Sequence, residues 1–283
     1  MNIRQVRKKI KSAGNVKKIT NALEKVSAVK MKKAQQLALD GHPYQESLDS
    51  VIRDLTQKID PHFSALLGIP EKPLKKELAI IISTNKGLCG SYNFNLFRFI
   101  FKNIETDGTD FIILGKKASF FVNKLNEKII ADYSEGQAIN HVSAIFKQVL
   151  DLFLKNNYQN VSIFYNKFIT SLKSEPIKEI ILPVKYVSEN KQEEKLSSEY
   201  IVEPSPKIVI DKLLHSYVEQ KIRHGIIQAE AGEHSARMIA MKNATDNAND
   251  IIYNLTLLRN KLRQEKITNE LLDMTTATAS VEG

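Results

Sequence analysis

No proline follows Pro206 in this chain of 283 residues. Within the stretch that follows, Met241, Ala244, Ala248, Ile251, Leu255, Leu258 and Leu262 recur at alternating steps of three and four. That is the apolar seam of a left-handed coiled coil. A helix over residues 207–274 would be roughly 100 Å long, at 1.5 Å of rise per residue. No single small core covers such a helix, so it must serve as a strut, a shaft or half of a coiled coil.

The beginning of the chain carries a matching pattern. Ile3, Val6, Ile10 and Ala13, and then Val16, Ile19, Leu23 and Val26, repeat at three and four and predict a helix over residues 1–59. Asp40-Gly41-His42-Pro43 predicts a kink near residues 41–43, after which Leu48, Val51, Ile52, Leu55 and Ile59 resume the apolar stripe. Residues 60–76, with Pro61, Gly68, Pro70 and Pro73, read as a linker. Glu77 to Thr84 is a nearly continuous apolar run of the kind found in buried parallel strands. The turn Asn85-Lys86-Gly87-Leu88-Cys89-Gly90 leads from it into a helix from about Tyr92 to Asn103. Further strands are expected at Asp110–Leu114, Val161–Lys167 and Ile177–Val187, the last an edge strand because Pro183 interrupts it. Lys116–Asn126 reads as helix or strand and Ile139–Asn156 as amphipathic helix. Residues 77–190 therefore form a three-layer, Rossmann-like α/β domain. Residues 191–206 are a return loop and residues 275–283 a flexible tail.

The expected fold is an α/β domain inserted between two long terminal helices that form an antiparallel left-handed coiled coil. With the helix bases aligned, Met1 falls level with a residue near 263, and Arg263 to Met274 projects beyond the pair. Its Ile267, Leu271 and Leu272 then need a covering from outside the chain.

Charge separates the two arms. Residues 1–33 hold eleven Lys/Arg against the single acid Glu24, whereas from Pro206 onward there are ten of each sign. Most of the net charge of +9 thus has an acidic partner to meet. One cysteine, Cys89, excludes an internal disulfide. No run of eighteen apolar residues offers a membrane span, and the N-terminus has no apolar segment of signal-peptide type.

Candidate chemistry is sparse. The NKGLCG turn stands where α/β sheets bind phosphate, yet it matches neither GxGxxG nor GxxxxGK[ST]. A phosphate cradle and a plain strand-to-helix turn both stay open, the turn being the simpler reading. Cys89 has no base nearby in sequence to activate it. Histidines 42, 62, 141, 215, 224 and 234 show no metal-binding spacing, and no cofactor is expected. The lysine-rich run from Lys8 to Lys33 fits nucleic acid, an anionic membrane, or a protein-facing helix, although no aromatic residue precedes Tyr44 to stack on bases.

Three ordered stretches carry a family resemblance: Ile3 to Gln35, the turn STNKGLCGSYN from Ser83 to Asn93, and EHSARMIAMKNATDNANDIIYNLTLLRNKLRQEKITNEL from Glu233 to Leu271. In these the chain resembles the gamma subunit of F-type ATP synthases, over essentially its whole length. The resemblance implies a non-catalytic rotary shaft that couples ion flow through a membrane c ring to the beta-subunit sites of an alpha/beta hexamer. Its partners would be the alpha and beta subunits, the epsilon subunit and the c-subunit ring, with no nucleic acid bound. It further implies that Arg263, Gln264 and Thr268 meet a beta-subunit loop near the shaft tip, with Arg237 and Leu23 at matching positions lower down. Tyr200 and Glu203 would lie in a foot near the c ring. The absence of a transit peptide points to a bacterial protein, peripheral on the cytoplasmic face of the inner membrane. The tail MTTATASVEG is more polar than the family's usual apolar end, and the cysteine-bearing insertion of plant chloroplasts is absent. The competing expectation is a nucleotide-using α/β enzyme dimerised by its helices.

Overall fold

A computed structural model describes residues 2–58, 64–68, 77–104, 108–155, 157–184 and 206–281. Two helices bracket the rest: α1 (Ile3–Lys58) and α5 (Pro206–Val281). Between them lie β1 (Glu77–Ile82), α2 (Tyr92–Asn103), β2 (Thr109–Leu114), α3 (Lys116–Lys124), β3 (Ile129–Asp132), α4 (Val142–Leu154), β4 (Asn160–Thr170) and β5 (Lys173–Leu182). The chain divides into two compact units, residues 29–236 and residues 1–28 with 237–283. Both long helices contribute to each unit.

The first unit is built on a five-stranded mixed sheet of order β3-β2-β1-β4-β5. β1, β2, β3 and β4 run parallel, and β5 returns antiparallel along β4. The apolar run of β1 is buried on both faces, and its alternation decides which side chain serves which layer. Ala79 and Ile81 join Phe111, Ile113 and Phe164 under Leu96 and Ile100 of α2 and Ala118 and Val122 of α3. Leu78 and Ile80 join Ile112, Ile163 and Tyr165 on the opposite face. There they meet Val142, Ile145, Val149 and Phe153 of α4, Leu48 and Ile52 of α1, and Ile210, Leu214, Val218, Ile222 and Ile226 of α5.

The core of the sheet therefore reaches beyond residues 77–190 and takes in stretches of both long helices. Each buried Leu or Ile in it is worth about 1.5–3 kcal/mol. The two helix segments run in opposite directions. Lys33 of α1 lies near Glu230 of α5, while Asp49 pairs with Lys221 at 3.8 Å.

Several expectations need adjusting. α1 stays helical through the expected kink at residues 41–43, so only a full stop there is excluded; Pro43 lies inside it and Ser47 Oγ donates to the Pro43 carbonyl at 2.9 Å. Lys116–Lys124 is helix, its positions Ala118 and Val122 being buried on one face. β3 is a short strand that the sequence reading did not contain, and β5 stops at Leu182, just before Pro183. α5 continues past Met274 to Val281, so residues 275–281 are helical and not a loose tail. Thr275 and Thr276 each donate to the Leu272 carbonyl at 2.9 Å, one turn back along the helix. Of the expected linker only residues 64–68 are described. The return loop, with Tyr200 and Glu203, lies outside the described residues.

Candidate interaction surfaces

In a sheet of this topology a ligand would enter at the carboxyl ends of β1 and β4, where the strand order reverses. α5 occupies that place. Tyr92, at the start of α2, donates its hydroxyl to the Ala229 carbonyl at 2.7 Å, and Asn166 of β4 donates to the Tyr92 carbonyl at 3.1 Å. A Cβ on Gly232 would come within 3.1 Å of Tyr92 Cε2, so glycine allows the helix its close approach. The Phe168 amide donates to Gln228 at 3.2 Å, and Ser235 donates to the Ser171 carbonyl at the β4–β5 turn.

The NKGLCG turn is knitted to its own surroundings. Asn93 donates to Thr84 Oγ1 at 2.8 Å and contacts Cys89 Sγ at 3.3 Å, while Thr84 donates to the Lys86 carbonyl at 2.8 Å. Asn85 accepts from the Lys116 amide at 3.0 Å, tying the turn to α3. Leu88 and Gly90 adopt positive φ to close it. Cys89 is buried. Among the described residues no group of His, Cys, Asp and Glu could hold a metal ion.

Nearer the start of α5, Lys221 ties three elements together. Its ammonium lies 3.0 Å from Glu179 of β5 and 3.8 Å from Asp49 of α1, and Tyr165 donates to Glu179 at 3.1 Å. Burial alone would lower the Lys221 pKa, but Glu179 first, then Tyr217 and Asp49, hold it above the ordinary lysine value. The same burial, followed by the Glu179 charge, pushes the Tyr165 phenol up.

The second unit contains the outer parts of both helices, and their buried stripes differ from the expected seam. On α5, Met241 and Ala248 are buried and Leu255 and Leu262 half-buried at their expected places, but the alternate positions 244, 251 and 258 shift by one residue. Thr245 is buried where Ala244 was expected, and Ile252 is half-buried while Ile251 is 52% exposed. Arg259 is likewise half-buried while Leu258 is 36% exposed. Met241, Thr245, Ala248, Ile252, Leu255, Arg259 and Leu262 thus keep steps of four and three in the other order. On α1, Val16, Ile19 and Val26 are exposed, whereas Val6, Thr20 and Ser27 are buried and Ala13 half-buried. The inward stripe is a strict seven-residue repeat through 6, 13, 20 and 27. Following apolar residues alone misses it, because Thr20 and Ser27 hold seam positions.

Thr20 and Thr245 meet through their hydroxyls at 2.7 Å in a buried contact. Each hydroxyl is also within reach of its own helix, Thr20 at the Lys17 carbonyl (3.1 Å) and Thr245 at the Met241 carbonyl (2.9 Å).

The residues singled out for the shaft fall into two classes. Arg237 is buried and Leu23 half-buried. Arg263, Gln264 and Thr268 are exposed, as is every residue from Arg263 to Ala277. That segment carries the apolar side chains Ile267, Leu271, Leu272 and Met274 into solvent. It holds its helix locally, through Thr268 donating to the Gln264 carbonyl at 3.0 Å and a Lys266–Glu270 pair at 3.2 Å. No helix among the described residues is long and apolar enough to cross a membrane.

A family model described as ATP synthase matches residues 2–281. A curated ATP synthase gamma chain from Verminephrobacter eiseniae (strain EF01-2) is 36% identical over 289 residues, covering 99% of this chain and 98% of its own length. The chain belongs to the ATP synthase gamma chain family. Another gamma chain, from Glaesserella parasuis serovar 5 (strain SH0165), is 34% identical over 286 residues, with 98% of this chain and 99% of that one covered. The gamma-chain fold recurs in solved structures. A chain of the Euglena gracilis mitochondrial ATP synthase, solved with OSCP, F1 and c-ring in rotational state 3, aligns with a TM-score of 0.67 at 16% identity, covering 99% of this chain and 94% of its own. One from the central stalk and c-ring of the Tetrahymena thermophila enzyme gives 0.60 at 22% identity, covering 80% and 99%.

Proposed function

We propose that the chain works as the rotary shaft of an F-type ATP synthase. As the gamma subunit of that complex it is a structural part of the rotor and not a catalytic one. ATP synthesis and ion transport are activities of the whole machine. The alternative of a nucleotide-using α/β enzyme is not favoured, because α5 occupies the crevice in which such a sheet would hold its ligand.

In this reading α1 and α5 wind into an antiparallel left-handed coiled coil. Counting outward in opposite directions from the Thr20–Thr245 contact puts Asn2 level with residue 263. Beyond that point α5 continues alone, and the exposed stretch from Arg263 to Ala277 is the observation that carries the proposal. An exposed helix bearing Ile267, Leu271, Leu272 and Met274 calls for an enclosing apolar sleeve, which the alpha/beta hexamer would supply. Arg263, Gln264 and Thr268 then meet a beta-subunit loop. Arg237 and Leu23 act lower on the shaft, Arg237 by shaping the helix pair from within, since it is buried. The lysine-rich face of α1 meets acidic loops of the beta subunits, Tyr200 and Glu203 act toward the c ring, and the chain also meets the epsilon subunit. The complex holds the chain at the cytoplasmic face of a bacterial plasma membrane.

A rotor must be long, stiff and asymmetric so that its angle biases each catalytic site in turn. Reconstitution with alpha and beta subunits, with rotation followed under ATP hydrolysis, tests the reading; a hexamer that forms fully and hydrolyses ATP normally without this chain overturns it. The tip is tested by Gln264→Leu with Thr268→Leu. The isolated fold should be unchanged, since both side chains are exposed, while assembly or ATPase activity falls. Normal complex ATPase in the double variant removes the enclosed tip.

A further inference from the structure

The outer layer formed by α2 and α3 has a surface to which none of the shaft contacts proposed above is assigned. The sequences of these helices, YNFNLFRFIFKN and KKASFFVNK, contain Arg98, Lys102, Lys116, Lys117 and Lys124 and no acidic residue. Leu96 and Ile100 of α2 face the sheet. At about 100° per residue, Phe97, Phe101 and Phe94 lie in one neighbouring sector of that helix. Phe97 stacks on Phe121 of α3, with ring centroids 4.5 Å apart and planes 5° from parallel, so the sector opens toward α3. Phe94, Phe101 and Phe120 are 60%, 62% and 64% exposed. Arg98 sits over the Phe94 ring at 4.7 Å and Lys124 over Phe120 at 4.6 Å.

Single exposed phenylalanines are ordinary, but several joined across two helices under cations of one sign form a defined surface. The side chains of these two helices offer rings and cations and no carboxylate to receive a partner's base. Benzyl groups able to enter the acyl boundary, flanked by ammonium and guanidinium groups able to meet phosphate, are the chemistry of an interfacial membrane contact. Cation–ring stacking holds the charges beside the rings rather than away from them, so both can engage at one depth.

We propose that the α2–α3 face is a docking surface for an anionic lipid bilayer, by which the free chain is held at the membrane where its complex assembles.

The test uses the full chain and exploits its lack of tryptophan. Phe120→Trp and, separately, Phe101→Trp each place one indole on the face at an exposed position. Each variant is mixed with vesicles of phosphatidylcholine alone, or of phosphatidylcholine with about 30% phosphatidylglycerol, with and without brominated acyl chains. With anionic vesicles the emission should shift to the blue and be quenched by the brominated chains; neutral vesicles should do neither. A companion variant carrying Phe94→Ser, Phe101→Ser and Phe120→Ser should bind anionic vesicles at least tenfold more weakly in co-sedimentation, with an unchanged circular dichroism spectrum. Equal binding by this variant assigns membrane affinity to the lysine-rich start of α1 and overturns the proposal. An indole shift that appears only when the other subunits are added, and never with vesicles, assigns the face to a protein partner and overturns it too.

Discussion

The buried threonine pair offers the sharpest test of how the two long helices are held. Thr20 and Thr245 share a 2.7 Å hydroxyl contact and each can also bond a carbonyl of its own helix. Two hydroxyl protons thus serve three contacts, and removing one hydroxyl leaves the other buried with a partner missing. Thr20→Val or Thr245→Val keeps shape and volume while deleting one hydroxyl, and should cost about 1–2 kcal/mol, a lost hydrogen bond plus part of the desolvation of its former partner. The double valine variant replaces both polar groups by methyls in a dry contact and should cost about 0–0.5 kcal/mol, or stabilise. The expected coupling is therefore about 2–3 kcal/mol, at the upper end of the range seen for contacting residues. Denaturant unfolding followed by helical circular dichroism gives these values. What the double variant should lose is alignment, since a polar pair at a seam position penalises every shifted pairing. Cysteines at Ala13 and Ile252, level with each other in the unshifted pair, should crosslink in the threonine background. In the double valine background some crosslinking should move to a pair at Ala13 and Arg259, one heptad away. Single-variant costs that simply add, with the crosslink staying at 252, would refute the reasoning.

Three further outcomes follow from particular contacts. Gly14 has nothing within 4 Å of the position a Cβ would take, so Gly14→Ala should stabilise the chain by about 1 kcal/mol in thermal melts. Gly115→Ala should cost about 3 kcal/mol or more, because φ is +102° and the new Cβ would lie 2.3 Å from the Ser83 carbonyl oxygen. Lys221→Met leaves Glu179 only partly satisfied by Tyr165 and should cost about 1–2 kcal/mol, discounted for partial exposure; adding Glu179→Gln should recover most of it in a denaturant series. Stability should also fall in acid in two stages. Burial first, then Lys221 and Lys167 against the opposing Glu179 and Asp49, holds the His224 pKa below 6.5. The unfolded imidazole therefore takes a proton before the folded one, and stability declines as pH drops below 6.5. Glu230, held below 4.5 mainly by its hydrogen bond from His234, contributes stability above that pH and loses it as pH falls toward its folded pKa. Melting temperatures from pH 8 to about pH 3 should show both stages, and His224→Gln should remove the first.

Much of the fold was legible because the deciding residues were unambiguous. The run from Leu78 to Ile82 reads as a doubly buried strand, and it pairs in parallel on both sides. β3 was not legible, since Ile129–Asp132 is too short to show a period. The seam of α5 was read from the right heptad with the wrong half. Apolar residues at both 251 and 252 give periodicity a choice that only the packing decides, and at 258 and 259 the inward position goes to Arg259 rather than to Leu258. On α1 the choice went against hydrophobicity altogether, because Thr20 and Ser27 face inward and Val16, Ile19 and Val26 do not. The exposed tip was legible from the unequal reach of the two arms, a matter of chain length. The rings on α2 and α3 were not singled out, since a phenylalanine in an amphipathic helix is ordinarily a core residue.

The seat of α5 against Tyr92 and Asn166 has a consequence for how this sheet can behave. Other sheets of this topology lose and regain their occupant as its concentration changes. Here the occupant is part of the same polypeptide, so its local concentration is fixed by the chain and cannot be diluted away. The Tyr92 bond ends on the main-chain carbonyl of Ala229, which a change of side chain at that position does not delete. A joint of that kind does not dissociate; it has to unfold.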